Sequence, residues 1–325
     1  MKWFIEEDQQ NLQARFVFDG LMLVIFIGAL LFLLFAHLLE RRARCSDPLK
    51  AWLEAPLLPR LFQAPRHNVN SWVNSLLKFS VGIVLLANIL QGHFVAPNFV
   101  APELSQATAL QYSLVQALLI LLLIINVSLF ALALLVFSLL LFWLFPLSSA
   151  IDYAPEFIAL ALALFFTDRH RLDHVYQWKW LGASYSISSP HLGLLILQFG
   201  LGLQLIILTF HDKFLAPGYG IAFLQQYPAF NFPHYFGMHA FTDIHFVFAA
   251  GMAELCFGLL LVCNLAPRLS QLLILLVFTL TGVVLGPEEL VGHAPIIAAA
   301  TVLLFNPGGS LLLPVADREL KLAVD

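Results

Sequence analysis

Residues 199–217 read FGLGLQLIILTFHDKFLAP. An apolar run with glycines at 200 and 202 stops on His211-Asp212-Lys213, three ionisable groups in succession, and a proline follows at 217. The same frame stands 120 positions earlier, where residues 79–97 read FSVGIVLLANILQGHFVAP and Gln91-Gly92-His93 occupies the place of the polar trio. Recurrence of a helix, a polar stop and a proline at a fixed offset predicts a duplicated helical unit, and such repeats are sought before motifs are weighed. The correspondence continues at an offset of 138, where Gln116 meets Glu254 and Asn126 meets Asn264, and at 140, where Ala154-Pro155 meets Ala294-Pro295. The step from 120 to 138 places an insertion in the second copy, about residues 218–240.

Composition says what kind of helices these are. The 325 residues are 60% apolar and 11% charged, with 30 Phe and a mean hydropathy of +0.87. A soluble domain holds about 25% charged residues, so the chain is read as an integral membrane protein. A net charge of −4 and the lack of basic runs interleaved with aromatics exclude nucleic-acid binding. A spanning helix needs about 20 mainly apolar residues. Nine segments meet or approach that length: 16–39, 76–95, 107–126, 128–146, 154–167, 191–210, 243–263, 269–286 and 293–306.

The expected fold is therefore all-α, a polytopic bundle of two parallel four-helix repeats plus an N-terminal helix. Residues 1–72 hold that helix and a basic loop, 73–167 the first repeat, 168–190 a linker, 191–306 the second repeat and 307–325 a tail. With the N-terminus outside, 13 Lys and Arg fall on the cytoplasmic side and only Lys2, Arg15 and Lys213 on the outer side, as the positive-inside rule requires. The first apolar run follows Glu6, Glu7 and Asp8 and lacks a small-residue cleavage site, so it is read as a retained helix. Cys45, Cys256 and Cys263 form no disulfide framework.

Comparison of the copies directs attention to the second. His211-Asp212-Lys213 replaces Gln91-Gly92-His93, Glu254 replaces Gln116, and His293 replaces Tyr153. Each change adds ionisable character, so a polar active centre is expected in the second half. Glu254 lies near the middle of its helix, where a carboxylate costs about 2.5–3.5 kcal/mol and must be paired, protonated or turned to protein or water. Asp212 and Lys213 cap the outer end of the sixth apolar segment and read either as site residues or as snorkelling or locally ion-paired groups. His93, His211, His234, His239, His245 and His293 all fall at the outer face, where a cluster could ligate haem or metal or bond a quinone carbonyl. No HExxH, CxxC, nucleotide or hydrolase motif is present. The inserted loop carries Phe223, Tyr227, Phe230, Phe232, Tyr235 and Phe236 with Pro228 and Pro233, and reads as a lid in the headgroup layer or as an ordinary packed loop.

Gly200 and Gly202, the ending His211-Asp212-Lys213-Phe214 with Pro217, the run Ala253-Glu254 to Gly258, and Arg268 in the next hairpin are similar to the DoxX family of four-helix bacterial membrane proteins. The resemblance covers about 190–306; the first repeat looks like a degenerate copy without the Lys and Glu. It implies a bacterial inner-membrane protein in a redox setting. The first expectation is a quinone-linked oxidoreductase or the membrane subunit of a redox complex. In it Glu254 exchanges protons, His211, Asp212 and Lys213 shape the pocket, and His293, His245 and His239 contact the cofactor. Electrons would come from a partner subunit, membrane or periplasmic, or from a small reductant. The alternatives are a noncatalytic anchor subunit and a small-solute carrier.

Overall fold

The structure, a computed structural model, describes residues 14–45, 66–94, 106–168, 174–180 and 183–306. The basic loop after Cys45 and the tail 307–325 lie outside the described residues. All nine apolar segments form helices. Six are long and apolar enough to cross a membrane, and 110–125, 154–167 and 294–305 are shorter apolar helices.

In chain order, α1 is Gly20–Cys45, α2 Arg66–Gln91, α3 Gln106–Ile125, α4 Val127–Leu144, α5 the single turn Leu147–Ala150 and α6 Ala154–Thr167. After the linker come α7 (Ser189–Leu208), α8 (Pro217–Gln226), the short α9 (Phe232–Tyr235), α10 (Asp243–Val262), α11 (Pro267–Leu285), α12 (Pro287–Gly292) and α13 (Ala294–Phe305). Helix α7 continues as a π-helical segment, Thr209–Phe214. The linker is not purely helical. Val175–Trp180 (β1) pairs antiparallel with Ala183–Ser188 (β2), Tyr176 facing Ile187, a pairing suited to their aromatic and β-branched residues.

Helices α2, α3, α4 and α6 close a ring in which each packs on the next and α6 returns to α2; α7, α10, α11 and α13 do the same. The two rings meet along α6 with α7 and along α13 with α2. Lipid tails are as apolar as the helix faces, so helices associate in a bilayer through close packing and internal hydrogen bonds. Small residues permit this here. A Cβ on Gly202 would stand 2.8 Å from the Gly258 carbonyl oxygen, and one on Gly200 would stand 2.1 Å from Ala159 Cβ. Gln204, fully buried, stitches the seam: its Nε2 donates to the Asp152 carbonyl at 2.6 Å and its Oε1 accepts from Glu156 N–H at 3.1 Å. Outside the rings, α1 packs on α10.

Candidate functional site

At the end of the bundle opposite the β-hairpin, a cavity of about 500 Å³ lies where the two rings meet. Val84 on α2 and Asp152, Tyr153, Glu156 and Phe157 at the start of α6 form one wall. The remainder comes from the second half: the π segment, α10, the end of α11 and residues 289–296. Phe223, Phe230 and Phe232, from the 218–240 segment, also line it.

Lys213 is the fixed point. It is 5% exposed, and its Nζ donates to Glu254 Oε2 at 2.5 Å, joining the π segment to α10. Lys213 thus turns inward, and the Glu254 carboxylate has the paired environment its place in an apolar helix demands. Beside the pair, His211 Nδ1 lies 2.8 Å from Asp152 Oδ1 and 3.0 Å from Asp212 Oδ1.

Across the cavity, Glu289 and His293 form a second polar group. His293 Nδ1 donates to the Glu289 carbonyl at 3.0 Å and stands 3.2 Å from Glu289 Oε1. That bond fixes the proton on Nδ1, because a carbonyl only accepts, and leaves Nε2 as an acceptor. Burial raises Glu289 from the usual carboxyl value and pushes His293 down to about 3, so His293 is neutral near pH 7. Among the described residues, neither oxygen of the Glu289 carboxyl nor Oε1 of Glu156 accepts a hydrogen bond. Buried carboxyl oxygens that accept no hydrogen bond therefore belong to one apolar, aromatic-walled space.

Of the seven residues singled out from the sequence, Glu254, Asp212, Lys213 and His293 line the cavity and His211 stands behind it on Asp152. His239 and His245 do not line it. His239 is exposed and packs on His234, ring centroids 5.3 Å apart. His245 is a strut: its Nδ1 accepts from Thr242 N–H at 3.1 Å, and its Nε2 donates to Asp19 Oδ2 at 2.8 Å, tying the start of α1 to α10. The outer histidines therefore do not gather into one cluster.

Asp152, Glu156 and Glu289 were not singled out from the sequence, and two of them lie before residue 168, whereas the polar centre was expected in the second half. Glu156 follows Ala154-Pro155, the pair aligned with Ala294-Pro295, but its counterpart is Ile296. A search for gains in the second copy could not find a carboxylate present only in the first. Glu289 had a local signal, an acid four residues before His293. No family model, curated protein or solved structure matches the chain.

Proposed function

We propose that this protein is a DoxX-like redox protein of the bacterial inner membrane that binds a quinone in the cavity between its halves, as a quinone-linked oxidoreductase or the membrane subunit of a redox complex. The observation that carries the reading is the pairing of an aromatic-walled cavity of about 500 Å³ with one buried Lys213–Glu254 pair. Small-molecule sites of about 300–1,000 Å³ are mostly apolar with a few placed polar groups. Lys213 can donate to a quinone carbonyl, and Nε2 of His293 can accept from a quinol hydroxyl. Glu254, Glu289 and Glu156 offer carboxyls to hold the two protons that quinone reduction takes up with two electrons. The electrons come from a partner or a small reductant.

The test is extraction of lipid from protein purified in mild detergent, followed by mass analysis for quinone, and titration of the stripped protein with a short-chain quinone. Copurified or rebinding quinone is expected, with weaker retention in Lys213→Met. Glu254→Gln, which keeps the shape and loses the proton, is expected to lower the rate at which a small reductant reduces a short-chain quinone in reconstituted vesicles. No binding by the wild type would refute the reading, and full turnover in Glu254→Gln would leave this residue a purely structural role.

The architecture we infer is two parallel four-helix repeats with nine crossings, N-terminus outside and C-terminus cytoplasmic. Equal neighbour order in both rings supports it. So does a correspondence of contacts: Gln116 Nε2 donates to the His93 carbonyl at 2.9 Å, and the positions aligned with 116 and 93 are Glu254 and Lys213. In a cysteine-free background, single cysteines at 50, 175 and 318 should resist impermeant thiol reagents applied from outside, while one at the exposed position 225 should react. Labelling at 175 from outside would overturn the orientation.

A second reading, a noncatalytic anchor for a larger complex, draws on the exposed side chains of Phe232, Tyr235, Phe236 and Met238 at the loop tip. A stoichiometric partner without quinone would favour it.

A further inference from the structure

We propose that Asp152, His211 and Asp212 form a site for a first-row divalent cation of the Zn²⁺ or Mn²⁺ type, held between the two halves of the molecule. One nitrogen and one oxygen from each of two carboxylates all lie within 4.8 Å of one another. Asp152 Oδ1 and Asp212 Oδ1 approach the same ring nitrogen, His211 Nδ1, at 2.8 and 3.0 Å. Two carboxylate oxygens and one imidazole nitrogen thus already converge on one place. Donors around one ion at about 2.0–2.2 Å from each stand roughly 3–4 Å apart, so only small side-chain movements separate this cluster from a coordination sphere.

Charge points the same way. Lys213, the neighbouring cation, is committed to Glu254 at 2.5 Å. Two carboxylates beside a neutral imidazole would neutralise a divalent ion in a space whose walls are mainly apolar, where net charge is costly. The donor set also selects the metal: imidazole disfavours Mg²⁺ and Ca²⁺, and the absence of thiolate in the cluster disfavours soft ions. The wide π turn carries His211 and Asp212, and Asp152 comes from the start of the facing helix of the other ring. Three protein donors leave a coordination position open. Because Asp152 and Asp212 also line the cavity, an ion here would stand at its edge and could take water or an oxygen of the cavity's ligand there. The inference is independent of the quinone reading, since the site needs only these three side chains.

The experiment uses the full chain without an affinity tag, purified in detergent, stripped with chelator and dialysed against Zn²⁺ and, separately, Mn²⁺. Metal content and affinity are then measured. One equivalent per chain is expected, with at least tenfold weaker binding in His211→Gln and Asp212→Asn and in the more buried Asp152→Asn. Metal-free melting temperatures identify any variant that fails to fold, in which case the decision rests on His211→Gln, whose ring is 27% exposed. The exposed pair His234 and His239 is the competing site, so His239→Ala must keep the equivalent. Absence of stoichiometric binding, wild-type affinity in both His211→Gln and Asp212→Asn, or loss of the equivalent in His239→Ala would each overturn the proposal.

Discussion

Helices α2 and α3 in the first ring and α7 and α10 in the second bring aligned positions together, yet with different chemistry. In the first ring a fully buried Gln116 donates to the backbone carbonyl of His93. In the second, Glu254 reaches the side chain of Lys213. The backbone explains part of the contrast. Gly92, at φ +72, ends α2 with a left-handed residue, and His93 N–H closes back on the Asn88 carbonyl at 2.8 Å. Its counterpart Asp212 lacks that freedom, and the chain runs on as a π segment that delivers Lys213 inward. The same kind of crossing thus holds a neutral contact in one ring and a charged one in the other.

Several measurements would break or sharpen that contrast. The largest effect is expected at the ion pair. Glu254→Ala leaves a buried ammonium unpaired, and breaking one side of such a pair costs about 3–5 kcal/mol, whereas Lys213→Met with Glu254→Leu should lose much less. Gln116→Leu removes the neutral hydrogen bond to the His93 carbonyl, worth about 0.5–1.5 kcal/mol. Unfolding of the variants in detergent measures all of these, and equal losses for Glu254→Ala and Gln116→Leu would erase the distinction between the rings.

Next come the crossing glycines. A Cβ on Gly258 would meet the Gly202 carbonyl at 2.8 Å, while one on Gly82 would meet only the end of the Leu123 side chain at 3.2 Å. Gly258→Ala should cost about 1–3 kcal/mol. Gly82→Ala should be near neutral, because the helix-propensity gain of about 1 kcal/mol offsets a small shift. The same unfolding measurement separates them.

A smaller effect separates His293 from its counterpart Tyr153. Burial holds His293 at about 3 against 6.5 for the free side chain, so below 6.5 the unfolded chain binds a proton that the folded chain refuses. Stability is therefore lost as pH falls from 6.5 toward 3. Glu289, raised by burial above its ordinary 4.5, acts oppositely, favouring the folded state at acid pH and losing that contribution as pH rises past 4.5. Melting temperatures between pH 7 and 5 should drop less in His293→Asn than in wild type, and Tyr153→Phe should leave the slope unchanged.

The smallest effect is expected at Asp19, which ties α1 to the second ring. Hydrogen bonds from Met22 N–H and then His245 hold its carboxyl below the ordinary 3.8, so its contribution is present above that value and lost as pH falls below it. Asp19→Asn should speed amide exchange at Met22 near neutral pH. Unchanged exchange would remove the carboxylate from the account of how α1 docks.

The helices were legible because lipid demands long apolar runs, and nine such runs stand between polar stops. Glu254 and Lys213 were legible as ionisable groups in an apolar setting; their contact was not, since 41 residues separate them. The cavity was hidden for the same reason. Periodicity describes one helix at a time, whereas the α6–α7 seam that places Asp152 and Glu156 opposite the second half is a tertiary result of Gly200 fitting against Ala159. His239 and His245 share a sequence neighbourhood with the cavity but not its walls, because the inserted loop turns one outward and Asp19 claims the other.

The interval between Lys213 and Glu254 also has a meaning during biosynthesis. At about 5–20 residues per second, the ribosome adds those 41 residues in roughly 2–8 s, and for that time α7 carries an ammonium whose partner has not been made. Its place at the end of α7 lets the side chain reach the headgroups meanwhile. The inward turn can only follow the insertion of α10. A chain that lost Glu254 would remain at that stage, presenting an unpaired charge to the cell's quality-control proteases, and its abundance would fall.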